Sequence, residues 1–463
     1  MISQSATSKL LQILGKEHLL TDTRDLGPFS HDATNQDFFP DAVAFPENAD
    51  QISKILRLAN EERFPVIPRG AGSGMSGGAV AVQGGLVLST DRLNRILLID
   101  EENLLVKVEP GVVTAHLQEE VEKRGLFYPP DPASLNISTI GGNVAECAGG
   151  PRAVKYGVTR DYVMGLTVVL PTGEIIATGV ETAKGVVGYD LTRLIVGSEG
   201  TLAVIVEIIL RLIPKPEMKR TMLIRFSDIE TSARCVSQII KEKIIPTTIE
   251  FMDSLSVECV RDQVPLELPQ GESLLLLIEL DGDQDRINRD ARRIEALCRQ
   301  TGVLEFRFAK NEWEAEELWK ARRNLSPSLQ RLRPHKINQD VVVPRSRLAD
   351  FMVAISGIGQ RYALPIPCFG HAGDGNIHVN IMFHNDRIDE AKRAHQALQE
   401  ILRLTLDLRG TLSGEHGVGI SKKPYIGMEI APSALDLMRK IKKAFDPNGI
   451  LNPGKIFDES PIR

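Results

Sequence analysis

Two short segments in the C-terminal third concentrate the residues best suited to chemistry. The first reads His371-Ala372-Gly373-Asp374-Gly375-Asn376-Ile377-His378-Val379-Asn380, and the second reads Ser413-Gly414-Glu415-His416-Gly417-Val418-Gly419. Ile377, Val379 and Ile381 alternate with His378, Asn380 and Met382, which predicts a strand. His378 and Asn380 then share one face, opposite an aliphatic core face. In the second segment glycines flank an acid and an imidazole, so that backbone can come close to a ligand. His371, His378 and Glu415 together form a candidate divalent-metal site with an open position for a substrate oxygen. Any single histidine is more often structural. The grouping of His371, His378 and His416 in glycine-flanked motifs, out of nine histidines, argues for a site.

Three glycine-rich segments come earlier. Gly72-x-Gly74-x-x-Gly77 matches a dinucleotide fingerprint, but that fingerprint must open directly into a helix. Here Ala79 to Gly85 leads straight into the strand pattern Leu86-Val87-Leu88-Ser89, so the loop joins strand to strand. Such a loop can still cradle a diphosphate with its backbone N–H groups. The second segment, Ser138-Thr139-Ile140-Gly141-Gly142-Asn143, follows the rigid Pro129-Pro130-Asp131-Pro132 turn, and the third is Gly197-Ser198-Glu199-Gly200-Thr201. Three separated small-residue segments suggest one long ligand touched at several points, and a dinucleotide of FAD size fits.

The surrounding pattern must position these segments. Helices are expected at 51–64, 113–124, 228–242, 283–300, 311–332 and 389–408, with a last one after 430. Strands are expected at 65–68, 85–89, 104–109, 202–212, 221–226, 273–280 and 303–308. A hairpin is expected to begin at 163–170 with Pro171-Thr172-Gly173-Glu174 as its turn. Pro214-Lys215-Pro216 reads as a domain boundary. With 463 residues, 42% hydrophobic and 25% charged, the chain is a soluble multidomain type. A net charge of −6 gives no basic footprint for nucleic acid. No apolar run approaches the roughly 20 residues of a membrane span, and no signal peptide is evident, so the reading is cytoplasmic. The five cysteines form no C-x-x-C pair, which argues against an iron–sulfur cluster or zinc ribbon within this chain.

Pro68-Arg69-Gly70-Ala71-Gly72-Ser73-Gly74, Gly141-Gly142-Asn143 and Gly197-Ser198-Glu199-Gly200-Thr201 resemble the FAD-binding domain of the vanillyl-alcohol oxidase / p-cresol methylhydroxylase superfamily. The resemblance covers nearly the whole chain. It is nearest to the branch holding the glycolate oxidase FAD subunit, D-lactate dehydrogenase and D-2-hydroxyglutarate dehydrogenase. It implies an α+β fold in three parts. These are a two-part FAD-binding domain at 1–215, a substrate domain with an antiparallel sheet and helices at 216–425, and a C-terminal helical segment at 426–463 returning to the FAD domain. It implies noncovalent FAD held by Pro68, Arg69, Gly70, Ala71, Gly72, Ser73, Gly74, Gly77, Pro132, Ser134, Thr139, Gly141, Gly142, Asn143, Glu199 and Gly200, with Asn452 near the isoalloxazine. His371, His378 and Glu415 match the family's ligands to zinc, or to manganese or iron. Asn380 and His416 match residues beside the substrate, and His416 the general base. Trp319-Lys320-Ala321-Arg322 resembles the family's W-x-x-R, which makes Arg322 the carboxylate anchor, since arginine binds a carboxylate bidentately. Ser326, one helical turn on, and Lys336 are further anchors; the spacing from Lys336 to Asp340 departs from the D-2-hydroxyglutarate branch.

The expected activity is oxidation of a small D-2-hydroxy acid, glycolate or D-lactate, to the 2-oxo acid. His416 takes the hydroxyl proton and flavin takes the hydride. Electrons then pass to a separate acceptor: an iron–sulfur subunit, an electron-transfer flavoprotein or a quinone. A homo-oligomer, and attachment to the inner membrane through a partner, are further expectations. The alternatives are a D-2-hydroxyglutarate dehydrogenase-like enzyme, a metal-dependent hydrolase, and a noncatalytic flavoprotein subunit.

Overall fold

The computed structural model describes residues 2–263, 265, 268 and 274–458. The chain forms two compact units: residues 1–149, 158–215 and 415–463 make unit 1, and residues 150–157 and 216–414 make unit 2. The chain leaves unit 1 after Lys215 and rejoins it at Glu415, ahead of the 425/426 boundary expected from sequence. Residues 150–157 also belong to unit 2, and no shift in composition marks that excursion.

Unit 1 contains a four-stranded sheet in the order Leu19–Leu20, Ala42–Ala44, Leu86–Ser89, Val66–Arg69, of which the last three strands run parallel. Parallel neighbours cannot be joined by a tight turn, and the glycine-rich residues 70–85 supply the long crossover with no helix. The helix Ala49–Glu62 begins where Asn48 accepts from the Gln51 N–H, and it ends at Arg63 in the left-handed region (φ 60°). Its stripe of Ile52, Ile55, Leu56 and Ala59 packs into one core with Val66, Leu86 and Leu88. Burying each such Ile or Leu contributes about 1.5–3 kcal/mol. A second, antiparallel sheet has the order Ile96–Asp100, Leu105–Val108, Val204–Arg211, Val163–Val169, Ile175–Gly179. Its last two strands form the expected hairpin. The C-terminal tail comes back to the first sheet, where Leu451 bridges Val66 and the Asn452 N–H donates to Val66 O at 2.8 Å.

Unit 2 is built on a seven-stranded antiparallel sheet in the order Glu305–Phe308, Met218–Phe226, Leu274–Gly282, Thr248–Met252, Cys368–His371, Asn376–Phe383, His335–Val342. One face is aliphatic and buried, with Ile224, Ile278, Ile249, Ile377, Val379 and Ile381. The register puts Glu250 opposite His371, Phe369 opposite His378, Asp340 opposite His378 and Asn338 opposite Asn380. Directly paired residues project to the same side, so these polar side chains all stand on the other face. There they are bordered by a second apolar cluster in which Leu223, Leu277 and Phe369 meet Leu318, Trp319 and Leu325.

One local expectation needs correction, and two further local features are added by the structure. The span 311–332 is not one helix. It breaks into Glu312–Arg323, Leu325–Ser328 and a 3-10 turn at Leu329–Arg331, because Asn324 ends the first helix and Pro327 cannot continue it. The second glycine segment runs into the helix Ile140–Glu146, N-capped by the Thr139 side chain. The strand Asn376–Phe383 is buried along its whole length, on both faces.

Candidate functional site

In unit 2 the imidazoles of His371 and His378 come from adjacent antiparallel strands, with ring centroids 5.4 Å apart and planes at 85°. Both residues are buried, at 5% and 7% exposure. His371 and His378 offer ligand atoms within 4.8 Å of each other, and so do His378 and Asp340. His371 Nδ1 lies 2.6 Å from Glu250 Oε1. Glu250 is fully buried, and its Oε2 accepts from Arg322 Nε and Nη2, each at 2.7 Å. Burial alone would raise the Glu250 carboxyl, but His371 and Arg322 beside it hold it below the usual carboxylate range. A pair of buried imidazoles with a carboxylate partner behind one of them is a donor set that suits zinc or a similar divalent ion.

Arg322 ends the helix Glu312–Arg323. That helix is N-capped by Asn311, acidic in its first turn and basic in its last, as the helix dipole favours. Trp319 anchors the helix to the sheet by donating Nε1 to Glu279 Oε2 at 3.1 Å. Arg322 is then laid over the Phe369 ring, 4.8 Å from its centroid. Ser326 does not continue the Arg322 face. It sits in the next short helix, and its hydroxyl accepts from Lys336 Nζ at 2.8 Å. The two secondary anchors are thus brought together, and burial lowers the Lys336 pKa. Asn380 stands on the same strand and the same face as His378. It is fully buried, donating to His378 O at 3.0 Å and Pro367 O at 3.3 Å and accepting from Asn338 at 2.7 Å. Its amide braces strands.

In unit 1 the glycine segments converge on one cleft of about 1290 Å³, its opening to solvent included. Of the expected cofactor residues, Pro68 to Gly74, Pro132, Ser134, Thr139, Gly141, Gly142, Asn143, Glu199 and Gly200 line it, joined by Glu415 and His416. The packing requires glycine at two points. A Cβ on Gly70 would strike Thr139 Oγ1, and one on Gly141 would come 2.9 Å from Pro110 O as well as striking its side chain. Glycines crowded together at the wall of a large cleft form the cradle a diphosphate needs, so the residues fit FAD.

Three cofactor expectations change. Gly77 and Asn452 are not on the cleft wall. Asn452 is buried and donates Nδ2 to Gly78 O at 2.9 Å and Glu199 O at 2.8 Å, so it clamps two cleft loops from behind. The Arg69 guanidinium turns inward, onto the carbonyls of Ala79 at 3.1 Å and His31 at 2.8 Å. Glu199, expected at the cofactor, also accepts from the N–H groups of Val418 at 2.8 Å and Gly419 at 2.6 Å, and so holds the loop that carries His416. Glu146 was missed. It lines the cleft with Oε2 buried and unpaired, and burial first, then Glu199 and Asp32, pushes its pKa well up. Lys455 beneath the same loops is lowered by burial to about 8.

Glu250, Asn338 and Asp340 were missed as well. A lone carboxylate inside the apolar run Thr248-Ile249-Glu250-Phe251-Met252 is the signal that could have found the first, because a buried charge demands a partner.

Comparison with known proteins completes the picture. Residues 215–456 match the family of FAD linked oxidases, C-terminal domain, and residues 40–179 match an FAD binding domain. The chain is 47% identical over 458 residues to "Glycolate oxidase subunit GlcD" of Bacillus subtilis (strain 168), covering 99% of this chain and 97% of that one. It is 36% identical over 447 residues to "D-lactate dehydrogenase" of Anaerostipes hadrus, covering 92% and 93%. Its fold is that of p-cresol methylhydroxylase solved with substrate bound, at a TM-score of 0.80 and 19% identity over 99% and 98% of the two chains. The chain belongs to the FAD-linked oxidases. It is an FAD-dependent oxidoreductase, which removes the metallohydrolase and noncatalytic alternatives. Among the described residues no helix is long and apolar enough to cross a membrane.

Proposed function

We propose that the chain oxidises a small D-2-hydroxy acid, glycolate or D-lactate, to the 2-oxo acid and passes the electrons to a separate protein or quinone acceptor. The observation that carries this reading is the arrangement in unit 2. Two buried imidazoles suited to a divalent ion lie side by side, and one of them, His371, shares the Glu250 carboxylate with an arginine suited to a substrate carboxylate. The likeness to relatives named for glycolate and D-lactate chemistry supports it.

His371 and His378 would hold the divalent ion. The third ligand expected from sequence, Glu415, is proposed on its motif alone. A bound ion would supply Lewis acidity at the substrate hydroxyl, and bound FAD would supply the hydride acceptor. His416, on the wall of the FAD cleft, takes the hydroxyl proton. Arg322 orients the substrate carboxylate. The word "subunit" in the Bacillus relative's name supports an assembly with a partner carrying the onward electron path, for which an iron–sulfur subunit is the first candidate. Lys336, half-buried beside Ser326, favours one second reading, a dicarboxylic substrate such as D-2-hydroxyglutarate, whose far carboxylate it would meet.

The test is anaerobic mixing of the FAD-loaded protein with a panel of D-2-hydroxy acids, with the 2-oxo product identified. His416→Ala should keep its flavin and slow flavin reduction by about 10²–10⁴-fold, the usual worth of a general base. Reduction at near wild-type rate would refute the assignment.

A further inference from the structure

The metal ligands and the substrate anchor meet at a residue to which neither role was given. Glu250 is fully buried in the strand Thr248–Met252, and its register partner is His371. Each of its oxygens is committed to a different partner: Oε1 meets His371 Nδ1 at 2.6 Å, and Oε2 meets the Nε/Nη2 edge of Arg322 at 2.7 Å. Phe369, the register partner of Met252, packs against Arg322 and His378. Its ring is 4.8 Å below Arg322 and 5.4 Å from the His378 ring.

An ionised carboxylate only accepts hydrogen bonds, so the hydrogen in the short contact belongs to His371 Nδ1. That fixes the tautomer and leaves the Nε2 lone pair as the metal donor. An imidazole without such an acceptor exchanges tautomers and turns about its χ2 axis, and both motions weaken a metal bond. The same carboxylate holds the guanidinium by the edge that would otherwise be free to swing, so the other edge is presented in a fixed direction.

We propose that Glu250 is a positioning residue that sets His371 as an Nε2 metal ligand and sets Arg322 as the substrate-carboxylate anchor, coupling the two through one carboxylate. The inference rests on the metal-binding reading of His371 and His378. It makes two readouts move together: affinity for the ion, and KM for the hydroxy acid.

The experiment uses FAD-loaded protein stripped of metal with a chelator and titrated with zinc, with flavin content checked throughout. Wild type should bind one equivalent, and His378→Ala should lose it. Glu250→Gln should bind zinc about 10–100-fold more weakly while retaining FAD, and its KM should rise more than its kcat falls. Replacing a buried ion pair with apolar residues of similar volume is often neutral for folding, so Glu250→Leu/Arg322→Met serves if the single variant misfolds. It should show the same weakening of zinc. If wild type takes up no zinc, or His378→Ala binds as wild type does, the metal reading itself fails. If His378→Ala loses zinc but Glu250→Gln and the double variant bind it as tightly as wild type, the metal reading stands and the role of Glu250 is overturned.

Discussion

Replacing Asn452 distinguishes a cofactor contact from a structural clamp. Its Nδ2 donates to Gly78 O and to Glu199 O, so one buried amide ties the glycine crossover to the third glycine segment. Asn452→Ala removes both bonds, each worth about 0.5–1.5 kcal/mol net. It also places alanine at φ 42°, a left-handed conformation that costs a Cβ-bearing residue about 1–2 kcal/mol and is easier for asparagine. The expected loss in unit 1 is about 3 kcal/mol. Asn452→Gly loses the same bonds without the backbone penalty, so its expected loss is about 2 kcal/mol. Urea unfolding of the FAD-free protein measures both. A direct flavin contact would behave differently, leaving the FAD-free protein untouched and lowering only FAD affinity. Stability of the FAD-free Asn452→Ala protein within about 0.5 kcal/mol of wild type would refute the clamp.

Two further outcomes follow from buried charges. Lys455 is 3% exposed, and its pKa in the fold is about 8 because burial disfavours the ammonium. Its unfolded value is about 10.4, so the unfolded chain binds more protons between the two, and stability should rise with pH across that window. The Lys455 share of that rise is about 3 kcal/mol, seen as a difference from Lys455→Met, which should lack it. A parallel pH course in the two proteins would contradict the assignment. Arg322→Ala leaves Glu250 buried without its cation and should cost unit 2 about 3–5 kcal/mol. Arg322→Met/Glu250→Leu should recover most of that loss, and additive losses in a denaturation series would count against the pair.

The residues fit for chemistry were legible because their types are scarce and their spacing is tight. The strand period in Ile377, Val379 and Ile381 put His378 on the sheet's polar face, and the glycine segments reached one cleft as the long-ligand argument required. The absence of a helix after Gly77 excluded the Rossmann reading on geometry alone. Glu250 was not legible as a site residue, because its partners lie 72 and 121 positions away, and only the sheet register brings them together. The hydrogen bonds that Asn380 and Asn452 make to strand and loop carbonyls were not legible, since sequence cannot say which carbonyls an amide will find. The break at Asn324 and Pro327 was readable in principle, but the polar periodicity across 311–332 concealed it. The excursion of residues 150–157 into unit 2 rests on Lys155 and Tyr156 bonding to Asp281, a long-range pairing without a local signature.

The central claim is that a divalent ion and bound flavin act together on a 2-hydroxy acid. Anaerobic mixing of FAD-loaded protein with D-lactate and with glycolate, before and after metal removal, tests it most directly. The account predicts that at least one of the two bleaches the flavin, that chelation abolishes the bleaching while FAD stays bound, and that added zinc or manganese restores it. Flavin reduction at an undiminished rate in the metal-free protein, or no reduction by either acid in the metal-replete one, would contradict it.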